Sequence, residues 1–352
     1  MNNPLDEANL RQRIQSELDT FVTSHTTYLT QISPDTVELV SSLTGLLQGG
    51  KRLRPAFAYW GYRSVGQPDS DELVRACASL EFLQACALIH DDVMDDSDTR
   101  RGKPATHKQF ETMHHTAGWQ GSSIGFGHGA AILIGDLALS WADEMLLTSG
   151  LSQDELNRAK SVYDIMRTEL MAGQFLDLLE QARRGTSVAS AQNVIRFKSA
   201  KYTIERPLHI GAAIANAKPE HIAALSAYGL ALGEAFQLRD DVLGVFGDSE
   251  TTGKPAGDDL REGKQTVLLA LAMQRDDKAA QIDSLMTTKT MTAPMIEELQ
   301  TLITSTGALE QVETMITAQT HTAIQALQID SIDPHAREAL TELAYVATQR
   351  SA

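Results

Sequence analysis

The amino-acid sequence predicts an all-α protein of 352 residues. Apolar residues recur at three- and four-residue steps, whereas alternating patterns of strand length are missing and β-branched clusters are few. Apolar residues make up 42% of the chain, which is enough for a sizeable buried core. Because no long linker rich in proline, glycine or serine divides the chain, we expect one helical domain over residues 1–352. Its motif-bearing core is expected at about 34–270 and its C-terminal helices at 271–352.

Helix starts are indicated at several points along the chain. The Ser-Pro pair at 33–34 has the form of an N-cap followed by proline in the first helical turn. Residues 71–96 carry apolar side chains at helical spacing and predict a long, buried helix. Ser152 and Glu155 have the spacing of a capping box, which predicts a helix that runs to about Arg183.

One glycine-rich segment interrupts the helical pattern. His114–Gly129 contains five glycines and three histidines. This composition favours a mobile surface loop. The histidines are not expected to bind a metal, because no matching set of ligands accompanies them in the sequence.

Charge and cysteine content restrict the class of protein. There are 30 lysines and arginines against 46 acids, a net charge of −16, which disfavours binding to nucleic acid or anionic membranes. Cys77 and Cys86 would lie ~13 Å apart on one helix, too far for a disulfide, and reduced cysteines fit a cytoplasmic protein. The chain starts without a signal-peptide pattern. Its longest apolar stretch, Ala130–Ala142, is shorter than the ~20 residues of a membrane span.

Two aspartate pairs stand inside otherwise apolar helical segments. Asp91-Asp92 follows the apolar run Ala85–Ile89, and Asp95 lies one turn beyond Asp91 on the same helix face. Like charges at this spacing destabilise a helix unless a cation lies between them. Carboxylates on one face suit Mg²⁺, which commonly bridges to phosphate oxygens. A solvated acidic helix end is the alternative, but the preceding apolar run indicates burial.

The second pair, Asp240-Asp241, is also surrounded by apolar residues. Two such clusters facing each other across a helical bundle are expected to hold several divalent ions. A glycine-rich stretch follows, in which Lys254 and Lys264 are candidate phosphate ligands.

Basic residues near these pairs are candidate anion ligands. Arg100-Arg101 follow the first pair, either as salt-bridge partners or as bidentate diphosphate ligands. Gly49–Pro55, hereafter the basic anchor, has three cations in four residues after two glycines and is suited to cradle an anion. A helix C-terminal cap with basic residues near its dipole is the alternative interpretation.

Together, these motifs resemble those of the trans-isoprenyl diphosphate synthase (polyprenyl synthetase) family. The similarity runs from Gly49 to about Lys264 and comprises GGKRLRP, DDxxD followed by RRG, a KS pair where KT is usual, FQxxDD and a closing GK. Asp91–Gly102 and Phe236–Asp248 resemble the geranylgeranyl diphosphate synthases of actinobacteria in particular.

One position departs from the family pattern. The second aspartate motif, Asp240–Gly244, usually ends in a third aspartate, but here it ends in Gly244, and Asp248 is the next acid. Whether an ion at this motif gains a further protein ligand is therefore open.

The resemblance implies a role for each matching position. Three Mg²⁺ ions per active site would be held by the aspartates Asp91, Asp92, Asp95, Asp240 and Asp241. Isopentenyl diphosphate would be bound by Lys51, Arg54, Gln84 and Arg101. The allylic diphosphate would be bound by Arg100, Lys198, Lys254 and Lys264. The catalytic group would be Lys198 together with Ser199 and Gln237, the last two lying beside the reacting carbons.

The implied reaction joins isopentenyl diphosphate head to tail to an allylic diphosphate (dimethylallyl, geranyl or farnesyl). Breaking the allylic C–O bond leaves a negative diphosphate and an allylic cation, so positive charge is needed where the diphosphate departs. The family also implies that the departed diphosphate takes the final proton and that the enzyme is a homodimer formed through helices.

Product length is predicted from the helix that carries Asp91. Ala87 lies one turn before Asp91 and Cys86 is also small, while Leu83 and Leu80 lie deeper, Leu80 about 16 Å from Asp91. Since no bulky aromatic side chain blocks this face, we expect a product longer than farnesyl diphosphate. Geranylgeranyl diphosphate is the expected main product. Alternatively, these residues only pack in the core and a neighbouring helix limits a farnesyl or longer polyprenyl product.

Two other classes of protein share part of this pattern. A terpene cyclase has the first aspartate motif, but it needs no second set of diphosphate-binding cations and its second metal motif differs from the one around Asp240. A non-catalytic partner subunit tolerates loss of one aspartate motif, and Gly244 is the only feature that favours it.

Overall fold

The computed structural model describes residues 4–183, 187–247, 257–274, 276–288 and 291–349. Within these ranges the fold is all-α, as predicted, apart from one hairpin of strands β1 Thr99–Arg100 and β2 Lys103–Pro104. The segment Ile195–Glu205 is a π-helix, and Glu7–Asn9 and Pro34–Thr36 are 3₁₀ helices. The α-helices are α1 Leu10–Ile32, α2 Val37–Leu47, α3 Leu53–Arg63, α4 Asp71–Met94, α5 Thr106–Ala117, α6 Ser123–Leu147, α7 Gln153–Arg183, α8 Val188–Val194, α9 Arg206–Ile214, α10 Pro219–Phe246, α11 Asp258–Arg261, α12 Val267–Ala272, α13 Asp276–Met286, α14 Ala293–Ser305, α15 Ala308–Ala326 and α16 Pro334–Thr348.

The chain forms two compact units. The N-terminal unit contains Met1–Ala159 and Gly211–Asn216, and the C-terminal unit contains Lys160–Ile210 and Ala217–Ala352. That the whole chain acts as a single domain stays a prediction.

Helix α4 is the core element of the N-terminal unit. Ser70 caps its start by accepting a hydrogen bond from the Leu73 amide at 3.2 Å. The helix packs against α1, α3 and α6. It is long and apolar enough to cross a membrane, yet most of its surface is buried within the unit, as in the core helix of a globular protein. Cys77 and Cys86, both on α4, are buried and unbridged, as the sequence predicted.

Helix α10 has the same position in the C-terminal unit. Pro219 occupies its first turn, where a missing N–H costs nothing. The helix packs against the π-helix, α15 and α16. The buried Tyr228 hydroxyl donates to the Leu340 carbonyl oxygen at 2.7 Å, which ties α10 to α16.

The predicted helix starts are confirmed. Ser33 accepts a hydrogen bond from the Asp35 amide and begins the 3₁₀ turn that leads into α2. The Ser152 amide donates to the Glu155 carboxylate at 2.8 Å, and the Glu155 amide donates back to Ser152 Oγ at 3.5 Å. This capping box opens α7, which ends at Arg183 as expected.

The prediction of a surface loop over His114–Gly129 is wrong except for residues 118–122, which form an exposed connection between two helices. Helix α5 continues to Ala117, and α6 already begins at Ser123, where Ser122 accepts a hydrogen bond from the Gly125 amide. Gly118 and Gly121 lie in the short connection between the two helices with left-handed φ, whereas Gly127 serves helix packing. A Cβ on Gly127 would overlap with the His107 carbonyl oxygen, so glycine at this position lets α6 approach the backbone of α5.

Candidate active site

The first aspartate motif, Asp91–Asp95, lies at the C-terminal end of α4. The Asp92 side chain is only 1% exposed, and Arg100 Nε donates to it at 2.8 Å. Asp91 is 16% exposed and lies 3.4 Å from the same guanidinium. The Asp95 amide donates to the Asp91 carbonyl oxygen at 2.8 Å, which keeps both carboxylates on consecutive turns. The alternative of a solvated acidic helix end does not hold for Asp92.

The β-hairpin positions the two arginines that follow this motif. Its two-residue turn, Arg101-Gly102, has φ of 53° and 72°, the left-handed values that a tight hairpin turn requires. Arg101 Nη1 donates to the Leu46 carbonyl oxygen at 2.9 Å. A Cβ on Gly50 would lie 3.2 Å from the Arg101 guanidinium. The hairpin thus brings Arg101 against the basic anchor, where glycine leaves room for it.

The three cations of the basic anchor have different surroundings. Arg52 is 4% exposed and forms a buried ion pair with Glu81 of α4, so its guanidinium already has a carboxylate partner. Lys51 is exposed and Arg54 is half-buried. These two are the cations that the resemblance assigns to isopentenyl diphosphate, and Gln84 lies one turn after Glu81 on α4.

Positive charge is concentrated where the hairpin meets the basic anchor. Burial lowers the pKa of Arg101, and repulsion from Arg52, Arg100 and Arg54 lowers it further, although Glu81 acts in the opposite direction. Guanidinium groups gathered in this way suit bidentate binding of a diphosphate, which would offset their mutual repulsion.

The second aspartate motif lies in the last turns of α10. Asp241 is 5% exposed, and burial raises its pKa to about 8, with Asp259 and Asp240 adding to the rise. Gln237 Nε2 donates to Asp241 at 2.8 Å, and this bond and Lys264 act in the opposite direction. A divalent cation beside these carboxyls would favour their charged form, and their hard oxygen donors fit Mg²⁺.

The departure at Gly244 has a structural reason. A Cβ on Gly244 would overlap with the Asp259 carboxylate, which belongs to the short helix α11. A side chain at position 244 would therefore require the Asp259 side chain to move, and Asp259 already brings a carboxylate to this place. Asp259 was not among the residues predicted from the sequence, although it belongs to an acidic pair that follows a glycine in the lysine-containing stretch.

Lys198 and Ser199 lie on the π-helix Ile195–Glu205. Such wide helical turns are rare and often occur at functional sites. Lys198 Nζ pairs with Asp177 of α7 at 2.6 Å, and Ser199 is half-buried. Asp177 was not predicted from the sequence, since a single acid on a long helix carries no distinguishing pattern.

Of the two lysines that follow the second motif, only Lys264 lies within the described residues. Lys264 Nζ lies 2.7 Å from Glu262 and 3.5 Å from Asp259. Its backbone amide donates to the Asp259 carbonyl oxygen at 3.0 Å, so this lysine is held beside the second motif. Lys254 and Asp248 lie outside the described residues.

The residues assigned to product length separate into two environments. Leu80, Leu83 and Cys86 are buried, whereas Ala87 is partly exposed. Cys86 Sγ lies 3.7 Å from His90 Nδ1, and His90 Nε2 lies 3.2 Å from the Ile132 carbonyl oxygen of α6. Cys86 therefore lies on the side of α4 that faces α6, whereas Ala87 lies one turn before Asp91.

The helical fold, the two aspartate pairs and the concentrated guanidinium groups together define a prenyltransferase. Residues 37–303 match the polyprenyl synthetase family, and the chain belongs to this family. It is 31% identical to the geranylfarnesyl diphosphate synthase of Aeropyrum pernix, with 89% of this chain and 93% of that protein covered. It is also 31% identical to the octaprenyl diphosphate synthase of Escherichia coli, with 92% and 93% covered.

A solved structure is still more similar. The geranylgeranyl pyrophosphate synthase of Corynebacterium glutamicum, crystallised with isoprenyl diphosphate and magnesium, superposes with a TM-score of 0.93. The two sequences are 42% identical, and the match covers 97% of this chain and 99% of that chain.

Proposed function

We propose that this protein joins isopentenyl diphosphate head to tail with dimethylallyl, geranyl and farnesyl diphosphates and releases mainly geranylgeranyl diphosphate. The observation that carries the proposal is the 42% identity, over 97% of the chain, to a geranylgeranyl pyrophosphate synthase. Among the curated relatives, product length is the variable feature, since their names include geranylfarnesyl and octaprenyl synthases.

The proposed reaction assigns the aspartates of both motifs to Mg²⁺, with three ions expected. Bound Mg²⁺ supplies the positive charge that stabilises the departing diphosphate. Asp259 takes the place of the missing third acid of the second motif, because its carboxylate lies where a side chain at position 244 would be.

The chain's own cations bind the two diphosphates in this proposal. Lys51, Arg54 and Arg101, with Gln84, bind isopentenyl diphosphate at the basic anchor, where positive charge is concentrated. Arg100, Lys198, Lys254 and Lys264 bind the allylic diphosphate. Asp177 holds the Lys198 ammonium group at 2.6 Å and so fixes the direction of its side chain. The amide of Gln237, fixed by its bond to Asp241, and the Ser199 hydroxyl lie beside the reacting carbons and help to exclude water.

A direct assay tests this function. Purified protein is incubated with Mg²⁺, isopentenyl diphosphate and each of the three allylic primers, and the dephosphorylated products are sized by chromatography. Geranylgeraniol that disappears on chelation supports the proposal. A cyclic hydrocarbon would instead indicate a terpene cyclase, and no elongation from any primer would indicate a non-catalytic partner subunit.

Ala87→Phe is expected to shorten the product to farnesyl diphosphate. Ala87 is partly exposed one turn before Asp91, so a benzyl group there would fill the space into which the chain grows. The product distribution from dimethylallyl diphosphate measures the effect, with Ala87→Ser as a control that keeps the side chain small. An unchanged geranylgeranyl product in Ala87→Phe would show that another helix limits chain length.

Asp259→Asn is expected to raise the Mg²⁺ concentration needed for half-maximal activity by about 10- to 100-fold, the range typical for losing a supporting group at a metal site. The amide keeps the shape of the carboxylate but removes its charge. Asp258→Asn, the same change at the neighbouring residue of α11, is the control. Equal Mg²⁺ dependence in the two variants would remove Asp259 from the metal site.

We also propose a cytoplasmic homodimer. Helix α6 exposes apolar side chains, including Ile124 at 55%, Ile132 at 47% and Leu133 at 63%. Large apolar side chains left exposed on one helix are consistent with an association surface. Sedimentation velocity of the purified protein measures the assembly state, and a monomer at micromolar concentration would contradict this proposal.

A further inference from the structure

Three potential metal ligands come together beside the hairpin, and none of them is among the residues assigned above, although Asp96 directly follows Asp95. Asp96, His107 and His128 each offer a ligand atom, and these atoms all lie within 4.8 Å of one another. They belong to three different elements: the turn after α4, the first turn of α5 and the first turns of α6. His107 and His128 have ring centroids 5.5 Å apart.

The backbone directs these side chains toward each other. Asp96 has a left-handed φ of 50°, and its carboxylate contacts α5, where Lys108 Nζ lies 3.0 Å away. Gly127, next to His128, lets α6 pack against the His107 carbonyl oxygen. This close packing of α5 and α6, which the predicted loop did not anticipate, also brings the members of the cluster together.

His107 is the unusual member of the cluster. Its side chain is 1% exposed, yet neither ring nitrogen has a hydrogen-bond partner among the described residues. Leaving a buried polar group without a partner is unfavourable, so a ligand that uses its lone pair would stabilise the fold.

The donor set and spacing indicate the kind of cation. Two imidazoles and one carboxylate suit Zn²⁺, whereas Mg²⁺ prefers oxygen ligands only. At Zn–ligand lengths of about 2.0–2.1 Å, tetrahedral ligand atoms lie roughly 3.4 Å apart. His107 Nε2 and Asp96 Oδ1 are 3.7 Å apart, so these two need only a small movement.

Contrary to the sequence expectation for His128, we propose that Asp96, His107 and His128 bind one Zn²⁺ ion, with water as the fourth ligand; none of these three residues is assigned to Mg²⁺. The ion connects the segment after α4 to α5 and α6. Because the hairpin with Arg100 and Arg101 lies between Asp96 and His107 in the chain, bound Zn²⁺ restrains both ends of the segment that carries these arginines.

Lys108 competes with the ion for Asp96. Its ammonium group occupies one side of the carboxylate, but Asp98 at 3.5 Å and Glu111 at 3.9 Å are alternative partners when a metal binds. Lys108→Gln removes both the competitor and a nearby positive charge, and it is therefore expected to tighten Zn²⁺ binding.

Calorimetric titration of the chelator-stripped full chain with Zn²⁺, in excess Mg²⁺ to occupy the oxygen-only sites, tests the proposal. The wild type is expected to bind one equivalent, and His128→Gln to bind at least about tenfold more weakly. His115→Gln changes an exposed histidine of the same region and is the matched control, with unchanged binding expected. Since His128 is only half-buried, its replacement leaves the core intact, which thermal unfolding without metal verifies.

A second probe reports the ligand geometry. Co²⁺ at this site is expected to give the intense visible absorption of a four-coordinate ion, lost in His128→Gln and kept in His115→Gln. Absence of Zn²⁺ binding, or equal affinity in the wild type and His128→Gln, overturns the proposal. Neither measurement depends on prenyl transfer, so the outcome is independent of the proposed function.

Discussion

Asp91→Asn is expected to reduce the rate of prenyl transfer at saturating substrates by at least about 10²- to 10³-fold, the size of effect seen when one charge-stabilising group is removed from an active site. The amide is nearly isosteric with the carboxylate but lacks the negative charge that holds Mg²⁺ against a diphosphate. Arg100 still has Asp92 as its closer partner, so the hairpin is expected to stay in place. The rate is measured by incorporation of labelled isopentenyl diphosphate.

The matched control for this prediction is Asp98→Asn. Asp98 undergoes the same chemical change seven residues later in the chain, but its side chain is 86% exposed and lies outside the first aspartate motif. Its activity is expected to remain within about twofold of the wild type. A rate for Asp91→Asn within tenfold of the wild type, with thermal stability unchanged, would remove Asp91 from the metal site.

Gly173→Ala is expected to lower the free energy of unfolding by about 1–3 kcal/mol or more, because it overpacks a contact between backbones. A Cβ at position 173 of α7 would lie 2.6 Å from the Phe197 carbonyl carbon and 2.8 Å from Lys198 Cα. Removing this overlap therefore requires the π-helix, which carries Lys198 and Ser199, to move. We expect a reduced kcat/KM for the allylic diphosphate in addition to the loss of stability.

The control for Gly173→Ala is the same substitution at Gly45, an exposed position in α2 where a Cβ meets nothing within 4 Å. Alanine there is expected to raise the free energy of unfolding by up to about 1 kcal/mol through its higher helix propensity. Urea unfolding compares both variants with the wild type. If Gly173→Ala is as stable as Gly45→Ala, the close packing of α7 on the π-helix is contradicted.

The π-helix is enclosed by glycines on a second side within the C-terminal unit. A Cβ on Gly233 of α10 would lie 2.6 Å from Ala200 Cβ, and one on Gly229 would lie 2.7 Å from Glu205 Cα. Glycines on α7 and α10 thus allow this wide helix to pack closely between them. The sequence contains these glycines but gives no indication of which distant backbone each one faces.

The helical secondary structure and the predicted helix starts were determined by local sequence. A capping box needs only four consecutive residues, so Ser152 and Glu155 could be interpreted without any knowledge of the fold. The aspartate motifs could also be recognised from the sequence. A pair of carboxylates inside an apolar helical segment needs a positively charged partner, which the helix alone does not provide. The apolar periodicity around Asp91 also predicted the burial that Asp92 shows.

Tertiary structure decided the features that depend on residues distant in the chain. Glycine content suggested a loop near Gly127, yet contact with the backbone of α5 makes it a packing position within a helix. At Gly244 the sequence lacks the third aspartate of the motif. Only the fold brings the carboxylate of Asp259, fifteen residues later, to this place. Sequence alone determined which residue types could perform the chemistry, because helix formation and capping are local. Only the fold decided which of them meet, since that depends on packing between elements far apart in the chain.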